Sequence, residues 1–395
     1  MSEPTLPSGF RFAGVTCGIK QSGKPDVSLI VADEPVVAAG VYTQNQIVAA
    51  PVVLCKGRTP SDKIRAVITN SGNANACTGD QGMKDAIAMC QRVAQKIGCD
   101  EDQVLVMSTG VIGQHLPMDC ITKGIDSAAE SLANDAKAFI ASAEAIRTTD
   151  KDRKTATRQI KCGDQSYTIA AMAKGAGMIA PNMATMLAVV LTDAPLDGQQ
   201  AQDILRHAAD ISFNKVSVDG HTSTNDTLLL LSSGRGEPLS GPALKQFTDE
   251  LNELSIELAK QLVADGEGAT HVMQIHVHGA ENDAAASTIA KTVAASPLVK
   301  TAITGGDPNW GRIVSAAGYA DAKIHPENTS LKICGETIYD NGLPKTFDAA
   351  TLSAKMKESA EVEIDLKVGD GLGKATFWSS DLTTDYVRFN SEYTT

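Results

Sequence analysis

Uninterrupted apolar runs of strand length constrain the fold of this chain more than any other feature of its sequence. The two clearest runs are "MLAVVLTD" at 186–193 and "TLLLLSS" at 227–233. A half-exposed strand would alternate apolar and polar residues, whereas a continuous apolar run indicates a strand that is covered on both faces. Further strand-like runs lie at 27–33, 64–69, 104–109, 167–173, 272–279 and 361–369.

Helical patterns separate these runs. The clearest lies at 242–265, where leucine and phenylalanine recur at steps of three and four residues. Other helical patterns lie at 82–98, 126–145, 199–212, 283–295 and 348–360. Together the elements predict an α/β protein, a layered sandwich with mixed sheets flanked by helices. The polar stretch at 279–287 predicts the start of a smaller C-terminal α/β domain, which we expect over roughly 282–365.

Composition excludes several classes of protein. The formal net charge is −12 and aromatic residues make up only 4%, so a nucleic-acid partner is not expected. The chain contains no apolar stretch long enough to cross a membrane, and "MSEPTLPSGF" lacks the pattern of an export signal. We therefore expect a cytoplasmic protein whose eight scattered cysteines are reduced.

Two motifs resemble ligand-binding sites, but each lacks a residue that such a site requires. "GIKQSGKP" at 18–25 resembles a phosphate-binding loop, but Pro25 stands where a magnesium-binding hydroxyl is needed, so a polar surface loop is the better interpretation. "HVH" at 276–278 places two imidazoles on one strand face without a third ligand at metal spacing. We expect no metal and no cofactor.

Thr185 heads the most apolar strand and is the first candidate for chemistry. A threonine within a chain is a poor nucleophile because its hydroxyl proton has no acceptor. Cleavage of the preceding bond would give Thr185 an α-amino group that is partly neutral near pH 7 and can accept that proton. The small side chain of Ala184 and the Gly/Pro/Asn-rich approach suit such a cut, although a threonine that simply starts a strand is the more common case.

The second candidate is "MSTGVIG" at 107–113, where a strand runs into a glycine turn. The backbone N–H of Gly110 and the hydroxyl of Thr109 would be two adjacent donors, which is the arrangement of an oxyanion hole. Taken alone, a strand that ends in a glycine turn is more often only structural.

Seven ordered segments give these motifs a context, and with them nearly the whole chain resembles the ornithine acetyltransferase (glutamate N-acetyltransferase) family of arginine biosynthesis. The segments are "GVTCGIK" (14–20), "ITNSGNANACTG" (68–79), "STGVIG" (108–113), "KGAGMIAPNMATML" (174–187), "DGEGATH" (265–271), "GDPNWGRI" (306–313) and "VRFNSEYTT" (387–395).

The resemblance implies a precursor that cuts itself between Ala184 and Thr185. The resulting chains, 1–184 and 185–395, would stay associated as an α2β2 heterotetramer, with a tail at 366–395 that returns to the active site. It also implies a ping-pong acyltransferase: Thr185 takes acetyl from N2-acetylornithine, ornithine leaves, and glutamate receives the acetyl group. Many members of the family also accept acetyl-CoA as the donor.

The same resemblance assigns roles to individual residues. Thr185 is the nucleophile, and Thr109 and Gly110 stabilise the oxyanion. Its substrate-binding positions match Thr149, Lys174, Thr185, Glu267, Asn390 and Thr395. A lysine suits a carboxylate and a glutamate suits an ammonium group, as a zwitterionic amino acid requires. Without the resemblance, Lys174 would be interpreted as a lysine at a strand end and Glu267 as a helix-end residue. Asn390 and Thr395 would be interpreted as part of a frayed terminus.

One segment differs from the family pattern. Where the family usually reads "MTTDT" followed by Pro-Lys, this chain reads "RTTDKDRK" at 147–154, which adds the charges of Arg147 and Lys151. The difference bears on Thr149 and on substrate preference, not on the class of reaction. Three alternatives stay open: an N-terminal-nucleophile amidase or aminopeptidase, a scaffold that is never cut, and a transacetylase of a secondary pathway.

Overall fold

The computed structural model describes residues 3–163, 165–180 and 186–392. Within these ranges the chain forms two compact units. The first comprises the residues up to Asn214 together with His221–Leu262, and the second comprises Lys215–Gly220 and the residues from Val263 onward. The chain therefore leaves the first unit for six residues, returns to it, and then completes the second.

The first unit contains a mixed sheet, of which the described residues supply eight strands. These are β1 (Phe10–Val15), β2 (Val27–Tyr42), β3 (Ser61–Asn73), β4 (Val104–Val111), β5 (Lys154–Cys162), β6 (Gln165–Lys174), β7 (Leu187–Thr192) and, after one further strand, β9 (Thr227–Ser232). The helices are α1 (Ala50–Lys56), α2 (Gly79–Ile97), α3 (Met118–Glu130), α4 (Ala136–Ala145), α5 (Gly198–Ile211) and α6 (Gly241–Ala264). The strand order is β4-β3-β2-β9-β7-β6-β5, with β1 beside β2.

The long strand β2 joins the two halves of this sheet. Its residues 27–38 pair with β3 through two shifts of register, and its residues 37–42 pair with β9. Four strands separate β4 from β6 in the sheet order, and strands lie about 4.8 Å apart. Yet the side chains of Thr109 on β4 and Lys174 on β6 are in contact. The sheet must therefore curve strongly, so that the ends of these distant strands meet.

The central strands are covered on both faces, as their sequences predict. All six residues of β7 and all six of β9 are buried, and the two strands pair in parallel. All eight predicted strand runs are strands in the structure. The prediction of a layered α/β protein with mixed sheets is thus confirmed.

One predicted helix is wrong. The pattern at 126–145 is not a single helix, because α3 ends at Glu130 and α4 begins at Ala136. Between them Ala133 exchanges two backbone hydrogen bonds with Phe12, at 2.7 and 3.0 Å. The carboxylate of Asp135 then caps α4 by accepting from the N–H of Ala138. Pairing with β1 therefore outweighs the continuous helical pattern.

The second unit contains another mixed sheet, with seven strands among the described residues. They are β8 (Val216–Ser217), β10 (Val272–Ala280), β11 (Ser330–Ile333), β12 (Glu336–Asp340), β13 (Leu343–Pro344), β14 (Glu361–Lys367) and β15 (Gly373–Ser380), in the order β13-β12-β11-β14-β10-β15-β8. The helices are α7 (Asp283–Ala295), α8 (Pro297–Gly305), α9 (Trp310–Gly318), α10 (Ala349–Glu358) and α11 (Thr384–Glu392). Helix α7 packs on β10 and β15 over an apolar core.

The predicted domain 282–365 lies within this second unit. The predicted cut between Ala184 and Thr185 falls outside the described residues and stays a prediction. Among the described helices, none combines the length and the apolar character that a membrane span requires.

Candidate functional site

Thr109 and Gly110 lie near the end of β4, beside the parallel strand β3. Gly110 adopts a φ of 133°, and a Cβ placed on it would lie 2.3 Å from the carbonyl carbon of Gly72. Side chains cannot approach backbone so closely, so this position requires glycine. The close contact brings the backbone of β3 against the turn that follows Thr109.

The hydroxyl of Thr109 contacts Lys174, the last residue of β6. The ammonium Nζ of Lys174 donates to Oγ1 of Thr109 at 3.2 Å, and the two residues are 3% and 5% exposed. A hydroxyl has one hydrogen to donate and two lone pairs to accept with. Because Lys174 uses an acceptor position, the hydroxyl hydrogen of Thr109 is left to donate to another oxygen. This contact suits the predicted oxyanion role.

Strand pairing places Lys174 beside a residue that closely follows the predicted nucleophile in sequence. Lys174 pairs with Leu187 on the antiparallel strand β7, and Leu187 pairs with Thr227 on β9. Leu187 follows Thr185 by two residues. The end of β6 and the starts of β7 and β9 therefore share one edge of the sheet, the edge at which Thr109 contacts Lys174.

A buried carboxylate, Asp150, supports this edge. Its Oδ1 accepts from Lys154 Nζ at 2.6 Å and from the N–H of Gly175, which follows Lys174, also at 2.6 Å. Its Oδ2 accepts from the N–H of Thr148 at 3.0 Å. Burial alone would raise the pKa of Asp150, but the charges of Lys174 and Lys154 outweigh burial and hold the pKa well below its ordinary value. Asp150 is thus ionised and ties the turn that carries Thr149 to the end of β6.

Asp150→Ala is expected to destabilise the fold by about 3–5 kcal/mol, because it leaves the buried ammonium of Lys154 without its carboxylate. Urea unfolding at pH 7 measures this change. A depressed pKa stabilises the folded state above the unfolded pKa of about 3.9. The contribution should therefore begin to fall at that value and be lost only as the pH falls through the much lower folded pKa, so the stabilities of wild type and variant should approach each other progressively below about pH 3.9. Asp203→Ala, at an exposed ion pair with Arg206, is the control and should change stability by less than about 0.5 kcal/mol.

Thr149 is half-buried in the turn between α4 and β5. The neighbouring Arg147, where the chain departs from the family pattern, pairs with Glu144 and donates to the carbonyl oxygens of Asp150 and Lys151. Its charge is therefore used to hold the turn together. A cavity of about 180 Å³ opens beside the turn. It is lined by Lys20, Lys24, Pro25, Glu144, Arg147, Thr148 and Asp150.

The second unit brings together two other predicted residues. Asn390 on α11 donates from Nδ2 to Oε2 of the half-buried Glu267 at 3.0 Å. A Cβ at Gly268, whose φ is 70°, would lie 2.4 Å from the backbone nitrogen of Tyr386. The "GEG" sequence thus allows α11 to pack directly against the turn that carries Glu267. Burial first, and then the negative charges of Asp219 and Glu267, raise the pKa of Tyr386 to about 12.

The structure therefore assembles the predicted site residues as two groups, each within its own unit. Thr109, Gly110 and Lys174, with the turn of Thr149, form the first group, and Glu267 with Asn390 forms the second. Ala184, Thr185 and Thr395 lie outside the described residues. The sequence reasoning missed Asp150, Lys154 and Tyr386. The Asp-x-x-x-Lys spacing within "RTTDKDRK" was an available signal for the first two.

The remaining motifs have structural explanations. In "NSGNANACTG", Asn70 donates to Asn73 O, Asn75 donates to Gly82 O, and Thr78 donates to the side chain of Asn75, as in a packed turn. In "HVH", His276 contacts Thr376 and His278 contacts Asp365. In the part of the chain that the structure describes, no group of three His, Cys, Asp or Glu residues has the arrangement of a metal site.

The two units define a layered α/β protein with a buried polar cluster at one edge of its first sheet. The profile of the ArgJ family matches residues 11–395, so the chain belongs to the ArgJ family. This finding confirms the family resemblance of the sequence.

Individual relatives agree with this assignment. The "arginine biosynthesis bifunctional protein ArgJ" of Rhodopirellula baltica is 59% identical, and the alignment covers 100% of this chain and 98% of the relative. Its namesake from Geobacter sulfurreducens is 46% identical over 98% of this chain and 99% of the relative. The crystal structure of the Bacillus halodurans protein of the same name has 38% identity and a TM-score of 0.50, covering 51% of this chain and 96% of that one.

Proposed function

We propose that this chain transfers the acetyl group of N2-acetylornithine to L-glutamate through an acetyl ester on Thr185, giving ornithine and N-acetylglutamate. Family membership confirms the class, an acyltransferase of arginine biosynthesis. The individual residues and steps are our proposal. The observation that carries it is the buried contact of Lys174 with Thr109 at the sheet edge where the strand after Thr185 begins.

The first half-reaction is acyl transfer to the enzyme. The hydroxyl oxygen of Thr185 attacks the acetyl carbonyl carbon, while its proton passes to the α-amino group of Thr185. The tetrahedral oxyanion accepts hydrogen bonds from the Thr109 hydroxyl and the Gly110 N–H. The bond between the carbonyl carbon and the ornithine nitrogen then breaks, and that nitrogen takes the proton. The α-amine of glutamate reverses these steps on the ester.

Lys174, Glu267, Thr149, Asn390 and Thr395 would bind the amino-acid part of both substrates. An ammonium group at Lys174 suits the α-carboxylate that ornithine and glutamate share, and Glu267 suits an ammonium group. The carboxylate of Asp150 balances the charge of Lys174 in the absence of substrate. The tail 366–395 would return to this site and exclude water from the ester.

Self-cleavage between Ala184 and Thr185 would create the α-amino group that the mechanism needs. The solved Bacillus halodurans chain supports the proposal, since almost all of it aligns with about half of this chain. Chains 1–184 and 185–395 would associate as an α2β2 heterotetramer in the cytoplasm. Mass measurement of the native assembly and cell fractionation test these two points.

Isotope exchange separates a covalent intermediate from direct transfer. With labelled ornithine, acetylornithine and no glutamate, label should enter acetylornithine, because the acetyl-enzyme can react backwards with ornithine. Initial rates with varied acetylornithine and glutamate should give parallel double-reciprocal lines. Intersecting lines without exchange would contradict the ester intermediate and indicate a ternary complex.

The same assay tests the alternative of an amidase on the same scaffold. In the transferase, glutamate should raise the rate of acetylornithine consumption and appear as N-acetylglutamate. Release of acetate at the full rate without glutamate would instead identify a hydrolase. A parallel assay with acetyl-CoA in place of acetylornithine decides whether this chain uses that second donor.

A further inference from the structure

The polar dipeptide Asn225-Asp226, directly before β9, contacts both parts of the proposed catalytic site. Asn225 is 5% exposed, and its Nδ2 donates to the carbonyl oxygen of Ser108 at 2.9 Å and to that of Ala74. Ser108 directly precedes Thr109. The amide of Asn225 therefore holds the strand end that carries the proposed oxyanion donors.

Asp226 holds the backbone that follows Thr185, as Asn225 holds the end of β4. It is 1% exposed, and its Oδ1 accepts from the N–H of Met186 at 3.1 Å. Ser223 also faces this carboxyl group, but among the described residues Oδ2 has no hydrogen bond of ordinary geometry. The N–H of Thr227 donates to Met186 O, also at 3.1 Å, so both polar backbone atoms of Met186 are held by neighbouring residues at the start of β9. Met186 directly follows Thr185.

We propose that Asn225 and Asp226 are positioning residues that fix the end of β4 and the backbone after Thr185 relative to each other, so that donors and nucleophile meet one carbonyl group. The proposal rests on the function proposed above. A buried carboxyl group with an unpartnered oxygen is costly for a fold, and such costs are concentrated at functional sites. Both steps that need this geometry, self-cleavage and acetyl transfer, should depend on the dipeptide.

Burial favours the neutral form of the Asp226 carboxyl group. Burial raises its pKa well above the ordinary value, and the opposing hydrogen bond from Met186 and the charge of Lys174 do not offset burial. A neutral carboxyl group has the shape and charge of an asparagine side chain. Asp226→Asn should therefore keep an acceptor for the N–H of Met186, whereas Asp226→Ala removes it.

This equivalence provides a stability control. A carboxyl group with a raised folded pKa makes its full contribution to stability below its unfolded pKa of about 3.9, and that contribution is lost as the pH rises from there through the folded pKa. Asparagine has no such loss. Asp226→Asn should therefore have a Tm at pH 8 at least equal to that of the wild type, which shows that any loss of activity does not come from unfolding.

The test measures self-cleavage by intact mass over time and transfer by steady-state kinetics. Asp226→Ala and Asn225→Ala should each slow cleavage and lower kcat by about 10- to 100-fold, the effect of a small misplacement of reacting groups. KM for acetylornithine should change by less than about 2-fold. Asp226→Asn should restore both rates to within about 3-fold of wild type. Asn225→Asp removes the donor to Ser108, so this variant should remain as slow as Asn225→Ala.

Asp85→Asn is the matched control. Asp85 is another buried aspartate of the first unit, and it accepts a hydrogen bond from Gln81 within α2, so its substitution should leave both rates unchanged. Unchanged cleavage and kcat in Asp226→Ala would overturn the proposal, and so would an Asp226→Asn variant as slow as Asp226→Ala. If wild type neither cuts at Thr185 nor exchanges ornithine, the proposed function fails by itself, and the variants are not needed to detect it.

Discussion

Thr185→Ala is expected to remain a single chain of 395 residues and to lose acetyl transfer by at least about 10⁴-fold in kcat. The substitution removes the hydroxyl that would attack Ala184 in processing and acetylornithine in catalysis. Intact mass and N-terminal sequencing should find chains 1–184 and 185–395 in the wild type alone. Transfer is measured on the same preparations.

Thr185→Ser is the control for this result. It keeps a hydroxyl on the same carbon and should still cleave and transfer, although more slowly. A Thr185→Ala protein that splits at the same bond would contradict the nucleophile assignment. A Thr185→Ala protein that stays whole but transfers acetyl would mean that cleavage and catalysis use different groups.

Thr109→Ala is expected to lower kcat by about 10²–10³-fold, the usual loss when one oxyanion donor is removed. KM for acetylornithine should change little, since the hydrogen bond forms mainly in the transition state. The structure supports this expectation, because Lys174 donates to Oγ1 and leaves the hydroxyl hydrogen for the oxyanion. Self-cleavage should slow as well, since it passes through a similar tetrahedral oxyanion.

Thr109→Ser retains the hydroxyl and should retain most of the activity, which separates the lost donor from lost packing. If Thr109→Ala had an unchanged kcat and a raised KM, Thr109 would bind the substrate in the ground state and would not stabilise the transition state. If both variants lost activity and also had a lower melting temperature, Thr109 would have a structural role beside Lys174.

Strand prediction from the sequence was clearest where burial was complete. The runs that became β7 and β9 are apolar throughout because helices or sheets cover both of their faces, and no competing pattern exists for such a run. Strands β5 and β15 were not predicted, since their few large apolar residues form neither a continuous run nor the regular alternation seen in β14. The helix predicted at 126–145 was wrong because a contact distant in sequence, between Ala133 and Phe12, interrupts it.

The sequence by itself determined the family, the class of reaction and the candidate residues Thr185, Thr109 and Lys174, since ordered motifs preserve residue identity along the chain. Only the tertiary structure decided which side chains share a site. Four strands separate β4 from β6, and no local rule predicts that the curvature of the sheet brings Thr109 against Lys174. The same holds for Asp150, Asn225 and Asp226. Their roles come from burial and from partners distant in the chain, and both arise only when the sheet curves and closes around them.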